Sequence, residues 1–102
     1  MRKKDLDIAQ NLKIVEWLKA ELLDSVADLF KSLLKTGSDT TNNALATIII
    51  ITYLLGRRVG VSFESIDNRL REKLDISIRE AQGVEQWNDD LTELLNYLEK
   101  KR

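Results

Sequence analysis

The twelve residues from Ala44 to Leu55, ALATIIIITYLL, contain no charged side chain, although Asp, Glu, Lys and Arg make up 32% of the chain. Coiled as a helix, this stretch is apolar on every side, because Ala44 and Ile51 share one face while Ile49 and Ile50 fall on two others. It is too short to span a membrane, which takes about 20 apolar residues. The stretch therefore predicts a helix that other helices must cover all round.

The rest of the chain is too short to provide that cover. Its 102 residues fit a single helical domain, residues 1–102. Two or three partner helices would leave part of the stretch in water, and each buried Ile or Leu side chain contributes about 1.5–3 kcal/mol. A subunit interface would cover the remainder, so we expect a homo-oligomer.

Helical spacing of apolar residues predicts an all-α fold of four to five helices, since the chain has no Pro and four Gly. Residues 8–34 form one helix or two with a bend, and Gly37 is a candidate C-terminal cap. Further helices are predicted over residues 41–58 and 63–74, and from about residue 88. The segment DISIREAQGVEQ between the last two is ambiguous, because DISI alternates like a strand.

Composition excludes several kinds of chemistry. The chain has no Cys and no His, so a bound metal would need oxygen ligands, which points to Mg²⁺, Mn²⁺ or Ca²⁺. With a net charge of -1, the chain has no extended positive electrostatic potential that would attract nucleic acid or an anionic membrane. Neither is therefore an expected partner. No apolar segment follows the basic start MRKKDLDIAQ, so we expect a cytoplasmic protein.

The two tryptophans are expected to pack. Trp17 lies among apolar neighbours, and Trp87 precedes the last predicted helix. Stacking of Trp87 on a nucleobase is the alternative.

Three acids form a stripe on the first helix. Glu21, Asp24 and Asp28 share one face, and like charges four residues apart cost a few tenths of a kcal/mol. A divalent cation between the carboxylates would remove that cost. Because Lys31 and Lys35 continue the stripe, an ordinary solvated face remains the other interpretation.

The order of segments resembles a known family. LLDSVADLFKSLLK, a polar turn, NALATIIIITYLLGRRVGVSFESI and a basic helix together resemble the MazG-like members of the all-α nucleoside triphosphate pyrophosphatases, over residues 18–73. The resemblance implies a helical bundle assembled as a dimer or tetramer. It also implies Mg²⁺ held by acids from two helices, and cleavage of a nucleotide to monophosphate and pyrophosphate.

The resemblance also implies a degenerate metal site. The family's E-E-x-x-E motif falls on residues 24–28, where Asp24 and Asp28 keep the outer acids and Ser25 replaces the middle one. The E-x-x-D motif falls on residues 44–47, where Ala44 and Thr47 replace both acids.

The remaining candidate site residues follow from the same alignment. Asp24 and Asp28, helped by Glu21 one turn earlier, are candidate Mg²⁺ ligands. Arg69 and Lys73 fall near the family's basic segment and are candidate phosphate contacts, or plain solvated charges.

Three functions remain open. The first is a catalytically weak or inactive relative of the Mg²⁺-dependent pyrophosphohydrolases. Such a protein would bind a nucleotide or have a regulatory role. The second is an active pyrophosphatase whose acids are rearranged. The third is a helical interaction module unrelated to nucleotides, for which the family pattern would be a coincidence.

Overall fold

The computed structural model of the chain describes residues 3–35, 38–81 and 83–100. Their secondary structure is entirely helical, which confirms the all-α prediction. The four helices are α1 (Lys3–Ser32), α2 (Asp39–Arg58), α3 (Phe63–Glu80) and α4 (Glu85–Lys100).

α1 is one continuous helix of 30 residues, so the open question of a bend is settled. α2 begins two residues before its predicted start, and the cap position is held by Ser38, whose side chain makes no capping hydrogen bond. The proposed cap at Gly37 lies outside the described residues.

The strand-like segment after residue 74 is helical, and α3 continues through it to Glu80. Leu74 and Ala81 are buried and Ile78 is half-buried. These residues recur at a spacing of four and three, so the helical period of the apolar residues prevails over the short alternation of DISI.

α4 begins at Glu85, three residues before its predicted start. The predicted first residue, Asn88, instead connects α4 to α3, because its Nδ2 donates a hydrogen bond to the carbonyl oxygen of Ile78 at 2.8 Å. Farther along the same two helices, Arg71 pairs with Glu99 at 3.3 Å. These two contacts tie α3 and α4 into a hairpin.

The turn after α2 depends on one glycine. Gly60 has a φ of +94°, a left-handed conformation that favours a residue without Cβ. Its N–H donates to the carbonyl of Arg57 at 3.1 Å, and the N–H of Val61 donates to that of Gly56 at 2.9 Å. This pair of bonds is the Schellman pattern that closes a helix C-terminus.

The chain divides into two compact units, Met1–Phe63 and Glu64–Arg102. The first contains α1 and α2, and the second contains most of α3 together with α4. The expectation of one domain over residues 1–102 therefore stays a prediction.

α1 and α2 form an antiparallel hairpin. At one end, Asn11 Nδ2 donates to the carbonyl of Arg58 at 3.2 Å; at the other, the hydroxyls of Ser32 and Thr41 hydrogen-bond at 2.8 Å. Between these bonds runs a line of buried residues seven apart on each helix, which we call the seam. It consists of Leu18, Ser25 and Ser32 on α1 and of Ala44 and Ile51 on α2.

The tryptophan prediction is wrong for both residues, because each indole is more than half exposed. Trp17 directly precedes the seam residue Leu18. One residue of an α-helix corresponds to a rotation of about 100°, which turns the indole away from α2. Trp87 lies in the first turn of α4.

Most of the apolar surface of α2 is not covered by α1. Only Ala44 and Ile51 are buried on α2, while Leu45, Ile49 and Ile50 are exposed. Among the described residues, no single helix is long and apolar enough to cross a membrane. Only α2 and α3 taken together, across the break between them, meet that measure of length and composition.

The seam should carry the stability of the hairpin. We expect Ile51→Ala, at a side chain only 6% exposed, to lower the free energy of unfolding by about 2–4 kcal/mol. The neighbouring Ile50→Ala, at 57% exposure, should cost less than about 1 kcal/mol. Urea denaturation followed by circular dichroism measures both, and equal losses would contradict the assignment of the seam.

Candidate functional site

Two positions at which the resemblance leads us to expect acids, Ser25 and Ala44, lie in the seam. Ser25 is 6% exposed and Ala44 is 4% exposed. Both side chains are small, which lets the two helix backbones approach closely at this level. These positions serve packing in this chain, and a carboxylate at either would have to enter the contact between α1 and α2.

Glu21, Asp28 and Thr47 lie along one edge of the seam. Asp28 follows Ser25 by three residues, and Thr47 follows Ala44 by three. In an antiparallel pair, equal offsets from the seam fall on the same edge, because the two helices turn in opposite senses when viewed from one end. Glu21 follows Leu18 by three residues and therefore lies on that edge too.

Asp24 directly precedes Ser25 and lies farther out on the same side. We call these four residues, Glu21, Asp24, Asp28 and Thr47, the acidic edge. Glu21 and Thr47 are half-buried, whereas Asp24 and Asp28 are exposed. The Thr47 hydroxyl donates to the carbonyl of Asn43 at 2.8 Å, so its oxygen keeps lone pairs that face outward from that bond.

The acidic edge has carboxylates on α1 alone. The single acid of α2 is Asp39, in its first turn, well before Thr47. Among the described residues, no three Asp, Glu, His or Cys side chains come together as a ready metal site. A Mg²⁺ ion here would take one or two carboxylate oxygens and fill its octahedral shell with water and substrate oxygens.

The candidate phosphate contacts lie in the second unit, which begins at Glu64. Arg69 and Lys73 are both exposed on α3. Arg69 pairs with Glu72, one turn later, at 3.3 Å. An exposed pair of this kind contributes little to stability, so Arg69 remains able to exchange Glu72 for another anion.

An aromatic cluster at the end of α2 was missed by the sequence reasoning. The rings of Tyr53 and Phe63 meet edge to face at 5.9 Å, and the Arg57 guanidinium lies 5.5 Å from the centre of the Phe63 ring. A shallow, open depression beside them is lined by Arg57, Gly60, Val61, Ser62 and Phe63. The available signal was the spacing of Tyr53 and Arg57, four residues apart on one face.

The model of the MazG-like family matches residues 8–91, which is most of the chain. Neither a curated protein nor a solved structure matches significantly.

Placing an acid in the seam should be costly. We expect Ala44→Glu to lower the free energy of unfolding by about 3–5 kcal/mol, because it places an unpaired charge between α1 and α2. Ala46→Glu, two residues along the same helix at an exposed position, should cost less than about 1 kcal/mol. Thermal and urea denaturation of both variants give the comparison. If Ala44→Glu is as stable as Ala46→Glu, position 44 has room for a metal ligand.

Proposed function

The chain belongs to the MazG-like family, and we propose on that premise that it binds Mg²⁺ and a nucleotide while hydrolysing the nucleotide slowly or not at all. The family suggests a function related to nucleotide pyrophosphohydrolysis, and its members generally depend on Mg²⁺. Under this proposal the chain binds the same class of ligand as the family, but it hydrolyses the nucleotide much more slowly or not at all.

One observation carries the proposal: all the acids of the acidic edge come from one helix of the hairpin, α1. α1 brings Glu21, Asp24 and Asp28 to the acidic edge, whereas α2 brings the hydroxyl of Thr47 and buries Ala44. Two or three carboxylates on one helix suffice to attract a hydrated Mg²⁺ ion that is shared with phosphate oxygens.

Hydrolysis demands more than this edge offers. In metal-assisted cleavage of a triphosphate, the metal neutralises phosphate oxygens and activates the attacking water, which is worth several kcal/mol in the transition state. Without a carboxylate on α2, the ion is held from one side. Its position relative to the reacting phosphate is then set by water and by the nucleotide rather than by the protein.

The match over residues 8–91 argues against coincidence as the origin of the family pattern. The alternative of an active enzyme needs a compensating acid, such as Glu80, Glu85 or a residue of another subunit. Both glutamates are exposed and belong to the second unit.

The acidic edge should bind Mg²⁺, and a carboxylate on α2 should strengthen that binding. We expect millimolar Mg²⁺ to raise the thermal midpoint of the wild type. At a hundredfold excess of Mg²⁺ over its dissociation constant, binding would add about 2.7 kcal/mol to the free energy of unfolding. The double variant Asp24→Asn, Asp28→Asn should lose the shift. Thr47→Asp should enlarge it, because the new carboxylate lies on the same edge as Asp28.

Thr52→Asp is the matched control. Thr52, like Thr47, donates its hydroxyl to the carbonyl four residues earlier, at 2.6 Å, but it lies on the opposite edge of the seam. Each variant is compared with itself in a chelator, so differences in intrinsic stability cancel. Equal Mg²⁺ shifts in Thr47→Asp and Thr52→Asp would contradict the placement of the site, and no shift in the wild type would leave Asp24 and Asp28 as a solvated face.

Turnover by the wild type should be at or near background. Pyrophosphate release from a panel of nucleoside triphosphates with Mg²⁺ or Mn²⁺ measures it, with an active member of the family as the positive control. Rapid turnover that survives the double variant Asp24→Asn, Asp28→Asn would mean that the catalytic acids lie elsewhere, and the active-enzyme alternative would replace this proposal.

A further inference from the structure

The exposed indole of Trp17 lies on the same stripe of α1 as the three acids. At about 100° of rotation per residue, Asp24 and Asp28 each lie about 20° from Trp17 around the helix axis. Glu21 lies about 40° from it. The stripe of carboxylates therefore continues, two turns nearer the N-terminus of α1, with a large aromatic side chain.

An apolar side chain of α2 lies at the same end of this edge. Leu54 follows the seam residue Ile51 by three residues, which places it on the side of the acidic edge. The hydrogen bond between Asn11 and Arg58 fixes the level at which the two helices meet. Leu54 lies four residues from Arg58 and Trp17 six residues from Asn11, so the two side chains start within about 3 Å of the same level.

This side of the hairpin is therefore apolar at one end and acidic at the other. Trp17 is 61% exposed and Leu54 is 41% exposed, so both are open to a ligand. A nucleotide has the same division, with a flat aromatic base at one end and Mg²⁺-binding phosphates at the other. Asp24 lies about 10 Å from Trp17 along the helix axis, a distance that an extended nucleoside triphosphate can bridge. A single exposed apolar residue is ordinary on a protein surface, but the position of this one in line with the acids indicates a ligand contact.

We propose that the base of the bound nucleotide stacks on Trp17, beside Leu54, while its phosphates share Mg²⁺ with Asp24 and Asp28. This assignment rests on the proposed function, because it needs the phosphates to be held at the acidic edge. An indole stacks on any nucleobase, since every base has a π-face. The ligand class is thus nucleoside polyphosphates with little discrimination among bases, and purines bind more tightly than pyrimidines only through their larger rings.

The test separates the base from the phosphates. With Mg²⁺ present, isothermal titration calorimetry measures binding of inorganic tripolyphosphate and of the α,β-methylene analogue of ATP, which cannot be cleaved to monophosphate and pyrophosphate. Trp17→Leu should weaken binding of the analogue about tenfold, because the stacking contact is lost. The same variant should change binding of tripolyphosphate less than about twofold. Trp17→Phe keeps a ring and should keep most of the affinity for the analogue.

Trp87→Leu is the matched control for Trp17→Leu. Trp87 is 57% exposed but lies on α4, outside the stripe, so this variant should bind both probes as the wild type does. Because both indoles are largely exposed, neither change should unfold the chain, and circular dichroism verifies this. In Trp87→Phe, Trp17 is the one remaining tryptophan of the sequence. Its fluorescence should be quenched by the analogue and not by tripolyphosphate.

Failure of the stacking and failure of the proposed function give different results. If tripolyphosphate binds the wild type but not the double variant Asp24→Asn, Asp28→Asn, the proposed site stands. Equal affinity of wild type and Trp17→Leu for the analogue would then overturn the stacking alone, as would a loss of affinity in Trp87→Leu instead. No binding of tripolyphosphate in the presence of Mg²⁺ would overturn both.

Discussion

The contact between α1 and α2 along the seam decides the arrangement of every other feature in the first unit. Small side chains at Ser25 and Ala44 allow the helices to approach closely. Polar bonds at the two ends, from Asn11 to Arg58 and between Ser32 and Thr41, fix which residues face each other. A shift of one residue would rotate each helix by about 100° and mix the charged side chains with the uncharged ones.

This contact also limits where a carboxylate can stand on the hairpin. Ser25 and Ala44 belong to the packing, because both are buried in the seam. A carboxylate cannot serve there without opening the seam, since an unpaired buried charge is strongly disfavoured. Asp24 and Asp28 lie outside the seam and are exposed.

A two-helix hairpin buries one stripe of each helix, and α2 is apolar on all sides. When α1 covers one stripe of α2, the remaining apolar side chains of α2 stay exposed, and Leu45 and Ile49 are among them. On α1, exposed apolar side chains lie on both sides of the seam, with Leu23 and Phe30 on one side and Trp17 on the other. The hairpin thus exposes apolar side chains on both sides of the seam, whereas Glu21, Asp24 and Asp28 lie along one edge of it.

The sequence alone determined the helices, because the periodic spacing of apolar residues and the lack of proline act locally. It also determined the family, through the order of its motifs, and it identified the stripe of Glu21, Asp24 and Asp28. It could not determine which side of α2 meets α1, because a helix that is apolar all round has no preferred face in its own pattern. Only the tertiary structure decided that Ala44 is buried, that Thr47 borders the acids and that Trp17 is exposed, since each depends on the rotation of one helix against the other.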